Sequence, residues 1–390
     1  MASLWRFALP ELGLHKTSWS LSAVVSLFLL ATFTQPIAAD CECGYSTVID
    51  GDVQAFTDLI ETDFAHLPDI ATNTDWVRQA FNVTSEKDRG NYGEMYAISN
   101  MQTQVDPNNH VEDGQAKNGQ PAGLSLLVKS GLVGGMVPVS EIDSNRTDIL
   151  YGSFRAGMKL TNVSGTCSAF FWYFNDTQEI DMEFLSKEYN ASNSSYPVNL
   201  VLQSREAEED GFDAQGTPTF IKAYLPFDPT ADFHEYRIDF LPGSVYFYAD
   251  SELLAEMDSE AVPTHAGHLV LQQWSNGNPL WSGGPPEEDS VTTVSYVKAY
   301  FNSSSPERQN DWATRCRDPS APGAVCAIPQ TTTTNSTSAG WFFTYQNNMT
   351  NNQTMSGQEN GGGRMASAAT SLWPMFAVMF GVVGWEVGIW

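Results

Sequence analysis

Phe170-Phe171-Trp172-Tyr173-Phe174-Asn175-Asp176-Thr177-Gln178-Glu179-Ile180-Asp181-Met182-Glu183-Phe184 is the stretch on which the reading of this chain turns. Its second half alternates acids with hydrophobes, Glu179, Asp181 and Glu183 against Ile180, Met182 and Phe184. Successive side chains of an extended strand point to opposite faces, so the three acids share one face and the three hydrophobes enter a core. Three close carboxylates repel one another, and partial burial adds a desolvation penalty. The plain alternative is a solvated edge whose acids face water, as antiparallel sheets often have. Against it stands the preceding run, residues 170–174, which is aromatic rather than rich in Lys and Thr. A costly cluster of titratable groups in such a setting points to chemistry.

Outward from this segment, short β-rich runs dominate. They cover residues 124–129, 152–160, 167–174, 178–185, 198–203, 219–224, 234–240, 244–249, 268–274 and 291–301, and Pro, Gly, Asn and Asp separate them. Pro242-Gly243 and Ala249-Asp250-Ser251-Glu252 read as hairpin turns. One short helix is expected over residues 75–81. Many evenly spaced strands imply an all-β fold, an antiparallel β-sandwich of jelly-roll type, whose curved sheets offer a groove.

The chain has 390 residues, 19 Lys plus Arg against 46 Asp plus Glu, and a net charge of -27. That balance repels phosphate backbones and excludes nucleic acid as a partner. Eleven Trp, 14 Tyr and 22 Phe supply strand formers and flat faces on which sugar rings pack. Residues 1–39 read as a secretory signal, with an apolar run from Leu21 to Phe33 and small residues at Ala38 and Ala39. Ten N-x-Ser/Thr sequons, at Asn82, Asn145, Asn162, Asn175, Asn190, Asn193, Asn302, Asn335, Asn348 and Asn352, fit secretion. Residues 306–363 read as a glycosylated Ser/Thr/Asn/Gly-rich stalk, in which Trp341-Phe342-Phe343 is an apolar island without an assigned role. Residues 364–390 read as a GPI-attachment signal, with a retained C-terminal span as the rival because Glu386 interrupts the tail. The globular part is then 40–305. Of the five cysteines, Cys316 and Cys326 are expected to close a local loop, and Cys41 or Cys43 to reach Cys167. With no CxxC and no spaced His pair, a zinc site is discounted; no metal ligand and no cofactor are assigned, and calcium is left open.

Two carboxyls about 5–5.5 Å apart are what retaining glycosidases require, one as nucleophile and one as acid/base. Strand positions i and i+4 lie about 13 Å apart, so Glu179 and Glu183 must lean inward or the strand must twist. Asp181 stands between them and is placed to hydrogen-bond the nucleophile.

Glu179-Ile180-Asp181-Met182-Glu183 matches the E-x-D-x-E signature of glycoside hydrolase family 16, in the form without the extra bulge residue. Residues 151–156, 233–240 with 245–250, 269–274 with Trp281-Ser282-Gly283-Gly284, and 294–300 resemble other segments of that family in the same order. The resemblance spans roughly residues 63 to 301, while residues 85–145 match none of it. It implies a jelly roll like the legume lectins (the concanavalin A-like lectin/glucanase fold) and retaining cleavage of β-linked glucans. By the same resemblance Glu179 is the nucleophile, Asp181 the helper and Glu183 the acid/base. Signal, domain, stalk and tail together resemble fungal cell-wall members of the family, some of which transfer glycan chains. Expected sugar contacts are Trp172, Tyr173, Asn175, Gln272, Trp274 and Trp281, with Gln272 as a donor to hydroxyls. For Trp172 core packing is the equal alternative, and Asn175 is also a glycosylation candidate. His234 is expected to be structural, and Asp232 and Asp239 to lie at the surface. The expected partner is a β-glucan, met by a monomer that touches membrane only through its anchor. Three functions stay open: an endo-β-glucan hydrolase on 1,3 or mixed 1,3/1,4 linkages, a cell-wall transglycosylase, and a lectin-like wall protein without catalysis.

Overall fold

A computed structural model describes residues 40–105, 120–209, 211, 214–331 and 338–346. The expected leader and anchor signals, and most of the expected stalk beyond residue 346, lie outside these. In chain order the strands are β1 (Gly44–Ile49), β2 (Asp52–Phe56), β3 (Asp58–Asp63), β4 (Trp76–Arg78), β5 (Asn82–Val83), β6 (Gly93–Tyr96), β7 (Met101–Gln104), β8 (Gly123–Val128), β9 (Met136–Ser144) and β10 (Ile149–Lys159). They continue as β11 (Cys167–Asn175), β12 (Gln178–Leu185), β13 (Pro197–Gln203), β14 (Phe220–Tyr224), β15 (His234–Leu241), β16 (Ser244–Ala249), β17 (Glu252–Asp258), β18 (His268–Trp274), β19 (Ser290–Ser303) and β20 (Val325–Ala327). Among the described residues three short α-helices interrupt them: α1 (Ser85–Asp88), α2 (Arg205–Glu209) and α3 (Pro306–Arg315).

Two large sheets form a jelly-roll sandwich. The back sheet runs β17-β16-β15-β10-β19-β8-β7, with β3 added on β19. The cleft sheet runs β14-β13-β12-β11-β18-β9-β6-β5, with β4 added on β9. Most neighbours pair antiparallel; β6 on β9 is parallel. The core between the sheets takes alternate residues from each strand. Phe170 and Trp172 come from β11, Ile180, Met182 and Phe184 from β12, and Leu200 and Leu202 from β13, packed against Phe154, Tyr236, Ile238 and Phe240 of the back sheet. Each such side chain gives about 1.5–3 kcal/mol on burial. The hydrophobes of the acid strand are therefore what fix its register, since a slip of one residue would turn three carboxyls into this core.

Asp239 lies in the back sheet, fully buried on its outward face and 3.1 Å from the Arg237 guanidinium, which corrects the expected surface position. Asp232 is exposed, as expected. His234 is held by Asp250 at 2.7 Å and stacked on Phe227. Residues 76–78 form strand β4 rather than a helix, because pairing with β9 lets Trp76 enter the core and reach Thr62 Oγ1 with its indole hydrogen at 2.9 Å. Gly243, at φ +84°, makes the expected turn between β15 and β16.

The cysteine expectation is overturned. Cys41 pairs with Cys326 and Cys43 with Cys316, while Cys167 is buried and unpaired. Local spacing misled because β20 returns across the whole domain to lie parallel to β1, bringing residues 285 apart in sequence within 5.1 Å at Cα. The stalk boundary at 306 is corrected for the same reason: α3, β20 and the segment after it pack on the back sheet. Arg155 donates to the Pro329 carbonyl at 2.8 Å, and Lys298 Nζ donates to the carbonyls of Ser338, Ala339 and Trp341 at 2.9, 2.9 and 2.6 Å. The apolar island has a role here, since Phe342 and Phe343 are buried and Phe343 meets Tyr45 at 5.0 Å between ring centres.

Candidate active site

β12 lies in the interior of the cleft sheet, paired with β11 on one side and β13 on the other. Its acids thus occupy no sheet edge. Glu179, Asp181 and Glu183 point together into a cleft of about 780 Å³ on the outer face of this sheet. Phe171, Trp274 and Trp281 line it beside them. The small Ala169 stands opposite Glu183 in register and leaves the carboxylate room.

Asp181 is 2% exposed, and its carboxyl is hydrogen-bonded to that of Glu179. Burial, with Glu179 and Glu183 as negative neighbours, pushes Asp181 well above the usual carboxylate range, so it carries the shared proton. Donating that proton to Glu179 favours the ionised form of Glu179, against burial and the nearby Glu183 charge, which push it up. Burial also raises Glu183, opposed by hydrogen bonds from Trp281 and Cys167 and by the Arg89 charge. Trp281 Nε1 donates to Glu183 Oε2 at 3.1 Å, and the Cys167 thiol to Oε1 at 3.5 Å. The 13 Å strand interval is thus divided: Asp181 couples to one acid, and the flanking loop and β11 hold the other.

The remaining expected contacts separate. Trp274, Trp281 and Gln272 line the cleft. Both Gln272 Nε2 hydrogens are already used, on Tyr96 Oη at 2.7 Å and Glu141 Oε2 at 2.7 Å. Its two donors are therefore spent within the protein, and its carbonyl oxygen can only accept. Trp172 is a core residue, fully buried with Nε1 on the Ile149 carbonyl at 3.2 Å, which corrects its assignment as a sugar contact. Its even parity on β11 puts it on the core face with Phe170. Tyr173 has the cleft-facing parity but does not itself line the cleft; its hydroxyl donates at 2.7 Å to Oδ1 of Asp176, which does. The Asn175 side chain turns back into the β11–β12 hairpin, accepting from the Thr177 amide at 3.0 Å, so it too is not brought to the acids.

The stretch that matched nothing in the family resemblance supplies part of the wall, through Glu86, Lys87, Asp88, Arg89, Glu94 and Tyr96. Tyr96 donates to Glu94 Oε2 at 2.5 Å, which makes a chain Glu94–Tyr96–Gln272–Glu141 across β6, β18 and β9. Burial, with the Asp88 charge, lifts Glu94 to about 8, and burial lifts Asp143 to about 7. The one signal in the sequence was Glu141-Ile142-Asp143, the same acid–hydrophobe alternation as on β12. Among the described residues no group of His, Cys, Asp and Glu has the arrangement of a metal site.

Residues 101–298 match the model of glycosyl hydrolases family 16, and the chain belongs to that family. It is similar to Congo red hypersensitive protein 1 of Saccharomyces cerevisiae, with 24% identity over 160 residues, 38% of this chain and 29% of that protein. It is similar to a Bacillus subtilis beta-glucanase, with 27% identity over 139 residues, 34% of this chain and 51% of that enzyme. Among solved structures it resembles a Bacillus licheniformis beta-glucanase, with 18% identity and a TM-score of 0.44 over 62% of this chain and 98% of that one. The chain thus spans about half or less of these two curated relatives.

Proposed function

We propose that this protein is a retaining endo-β-glucan hydrolase, acting on 1,3 or mixed 1,3/1,4 linkages. The observation that carries the reading is the shared cleft into which Glu179, Asp181 and Glu183 all project from one strand. Glu179 attacks the anomeric carbon and forms a glycosyl ester, while Glu183 gives its proton to the departing glycosidic oxygen. Glu183, now a base, then takes a proton from water, whose oxygen displaces Glu179 and frees the sugar. Asp181 keeps the nucleophile ionised before attack and stabilises it as the ester breaks. Trp274 and Trp281 offer apolar faces to sugar rings. A sugar hydroxyl in place of water would give chain transfer by the same steps.

The test is incubation of the purified protein with laminarin, lichenan and labelled oligosaccharide acceptors. Hydrolysis is expected, seen as new reducing ends released first as the β-anomer by NMR. Labelled polymer without reducing ends would make the protein a transglycosylase, and binding without turnover a lectin. Extracellular placement is part of the proposal. It is supported by two disulfides, which persist in oxidising compartments, by the sequons and by the apolar leader. The C-terminal anchor rests on the tail sequence alone. Release from cells by a GPI-specific phospholipase tests it, and persistence on the membrane would favour a retained span.

A further inference from the structure

Cys167 opens β11 and has the odd parity of Ala169 and Phe171, so it faces the cleft side of the sheet. Glu183 is in register with Ala169, two residues along, which makes Cys167 its diagonal neighbour. Because Ala169 carries only a methyl group, the thiol can approach the carboxyl: Sγ lies 3.5 Å from Glu183 Oε1, nearer than its other acceptor, the Ser168 carbonyl at 3.7 Å. The other oxygen of the same carboxyl takes the Trp281 indole hydrogen at 3.1 Å. The thiol itself is fully buried, pairs with no other cysteine, and is held well above its usual range by burial and the Glu183 charge. It is therefore protonated, a donor and not a nucleophile.

We propose that Cys167 is a positioning residue for the acid/base Glu183: a deliberately weak donor beneath the carboxyl that fixes its rotamer without over-stabilising its charge. This rests on the reading of Glu183 as acid/base. A thiol donates more weakly than a hydroxyl. A donor to a buried carboxylate favours its ionised form, and the stronger the donor the lower the carboxyl titrates. A serine here would hold the side chain equally well but make it a poorer acid at neutral pH. An apolar residue would leave Oε1 with no donor from below and the rotamer held from one side only. The other groups around Glu183 are Glu179 and Asp181 on its own strand and Arg89 from the loop after α1, with uncharged Asn199 opposite on β13. None of these changes in the variants that test the idea.

The experiment compares wild type with Cys167→Ser, Cys167→Ala and the near-isosteric Cys167→Val. Two readouts are used: the pH profile of kcat/KM on laminarin, and the titration of the Glu183 carboxyl followed by 13C NMR in the unliganded protein. Cys167→Ser should move the alkaline limb and the NMR titration to lower pH. Cys167→Ala and Cys167→Val should move both to higher pH, with kcat falling roughly three- to tenfold and KM little changed. Opposite directions for a hydroxyl and a methyl are what a space-filling cysteine would not give. If the substitutions leave the Glu183 titration in place, or all move it the same way, the proposal is wrong. The NMR readout needs no turnover, so a protein that proves inactive on every glucan would sink the hydrolase reading while the Cys167–Glu183 coupling is still decided. Should Ser and Ala fail to fold, Cys167→Thr supplies the hydroxyl arm against its near-isostere Cys167→Val, and the same opposite shifts are required.

Discussion

The indole nitrogen of Trp281 donates to Oε2 of Glu183 across the cleft, at 3.1 Å, from a loop that follows β18. The side chain offered by sequence as a sugar platform is thus also a partner of the acid. Trp281→Phe keeps much of the ring and removes the donor. Losing a donor to the carboxylate raises the Glu183 carboxyl further, since the bond now lowers it. The alkaline limb of the activity profile should move to higher pH, and kcat/KM should fall by about tenfold. A profile unmoved in pH but weakened in KM alone would leave Trp281 as a sugar contact only.

Glu179→Gln tests the nucleophile. It removes the attacking oxygen anion and keeps the shape, so turnover should fall by more than about a thousandfold. Folding and glucan binding should stay near wild type, read by circular dichroism and affinity electrophoresis. Retained activity in this variant would refute the assignment. Because the lost charge lies near the Glu183 and Asp176 charges and in a buried site, the variant should also melt higher than wild type above neutral pH.

Stability should fall as the solution turns alkaline. Glu94, Asp143 and Glu183 titrate higher in the fold than their free values of 4.5, 3.8 and 4.5, at about 8, 7 and 7, in each case chiefly through burial. A group raised in the folded state binds more protons there than when unfolded, so its contribution is complete below its unfolded pKa and is lost as pH rises through the folded one. The window runs from roughly pH 4 to 8. Tm should decline across it. Glu94→Gln, which keeps an acceptor for Tyr96 and removes the charge, should flatten the upper part of that decline. A Tm that rises between pH 5 and 8 would contradict the assignment of buried, protonated carboxyls to this cleft.

The acid strand was legible because both of its faces obey one rule: Ile180, Met182 and Phe184 had to go inward, so Glu179, Asp181 and Glu183 had to share the other side. The central strands around it were legible for the same reason. What sequence could not supply was pairing at long range. Glu141 and Tyr96 meet Gln272 only because β9 docks on β18 and β6 on β9, and no local pattern encodes that adjacency. Trp172 and Tyr173 show a finer limit. Parity separated them, yet an aromatic residue next to the acids fits a core and a sugar platform equally well until the packing is known. The cysteines failed most plainly, because short spacing favours local loops whereas β20 returns to β1.

The segment that composition assigned to a stalk is part of the folded domain as far as residue 346. Phe343 is 5% exposed, packed against Tyr45 and Tyr300 with ring centres at 5.0 and 6.1 Å. The next amide, of Thr344, donates to Glu61 Oε2 at 3.0 Å. Glu61 is itself buried, and burial raises its carboxyl against the pull of Thr344, Lys298 and Tyr300. Phe343→Ala would empty this site and loosen the cover over Glu61 and Lys298. The expected cost is about 3–5 kcal/mol, the usual range for a buried Phe, read as a lower midpoint in urea. Activity per folded molecule should hold, because these contacts lie on the back sheet and the acids on the other. A stalk residue would change neither midpoint nor slope, so a variant indistinguishable from wild type would return residues 338–346 to the status of a tether.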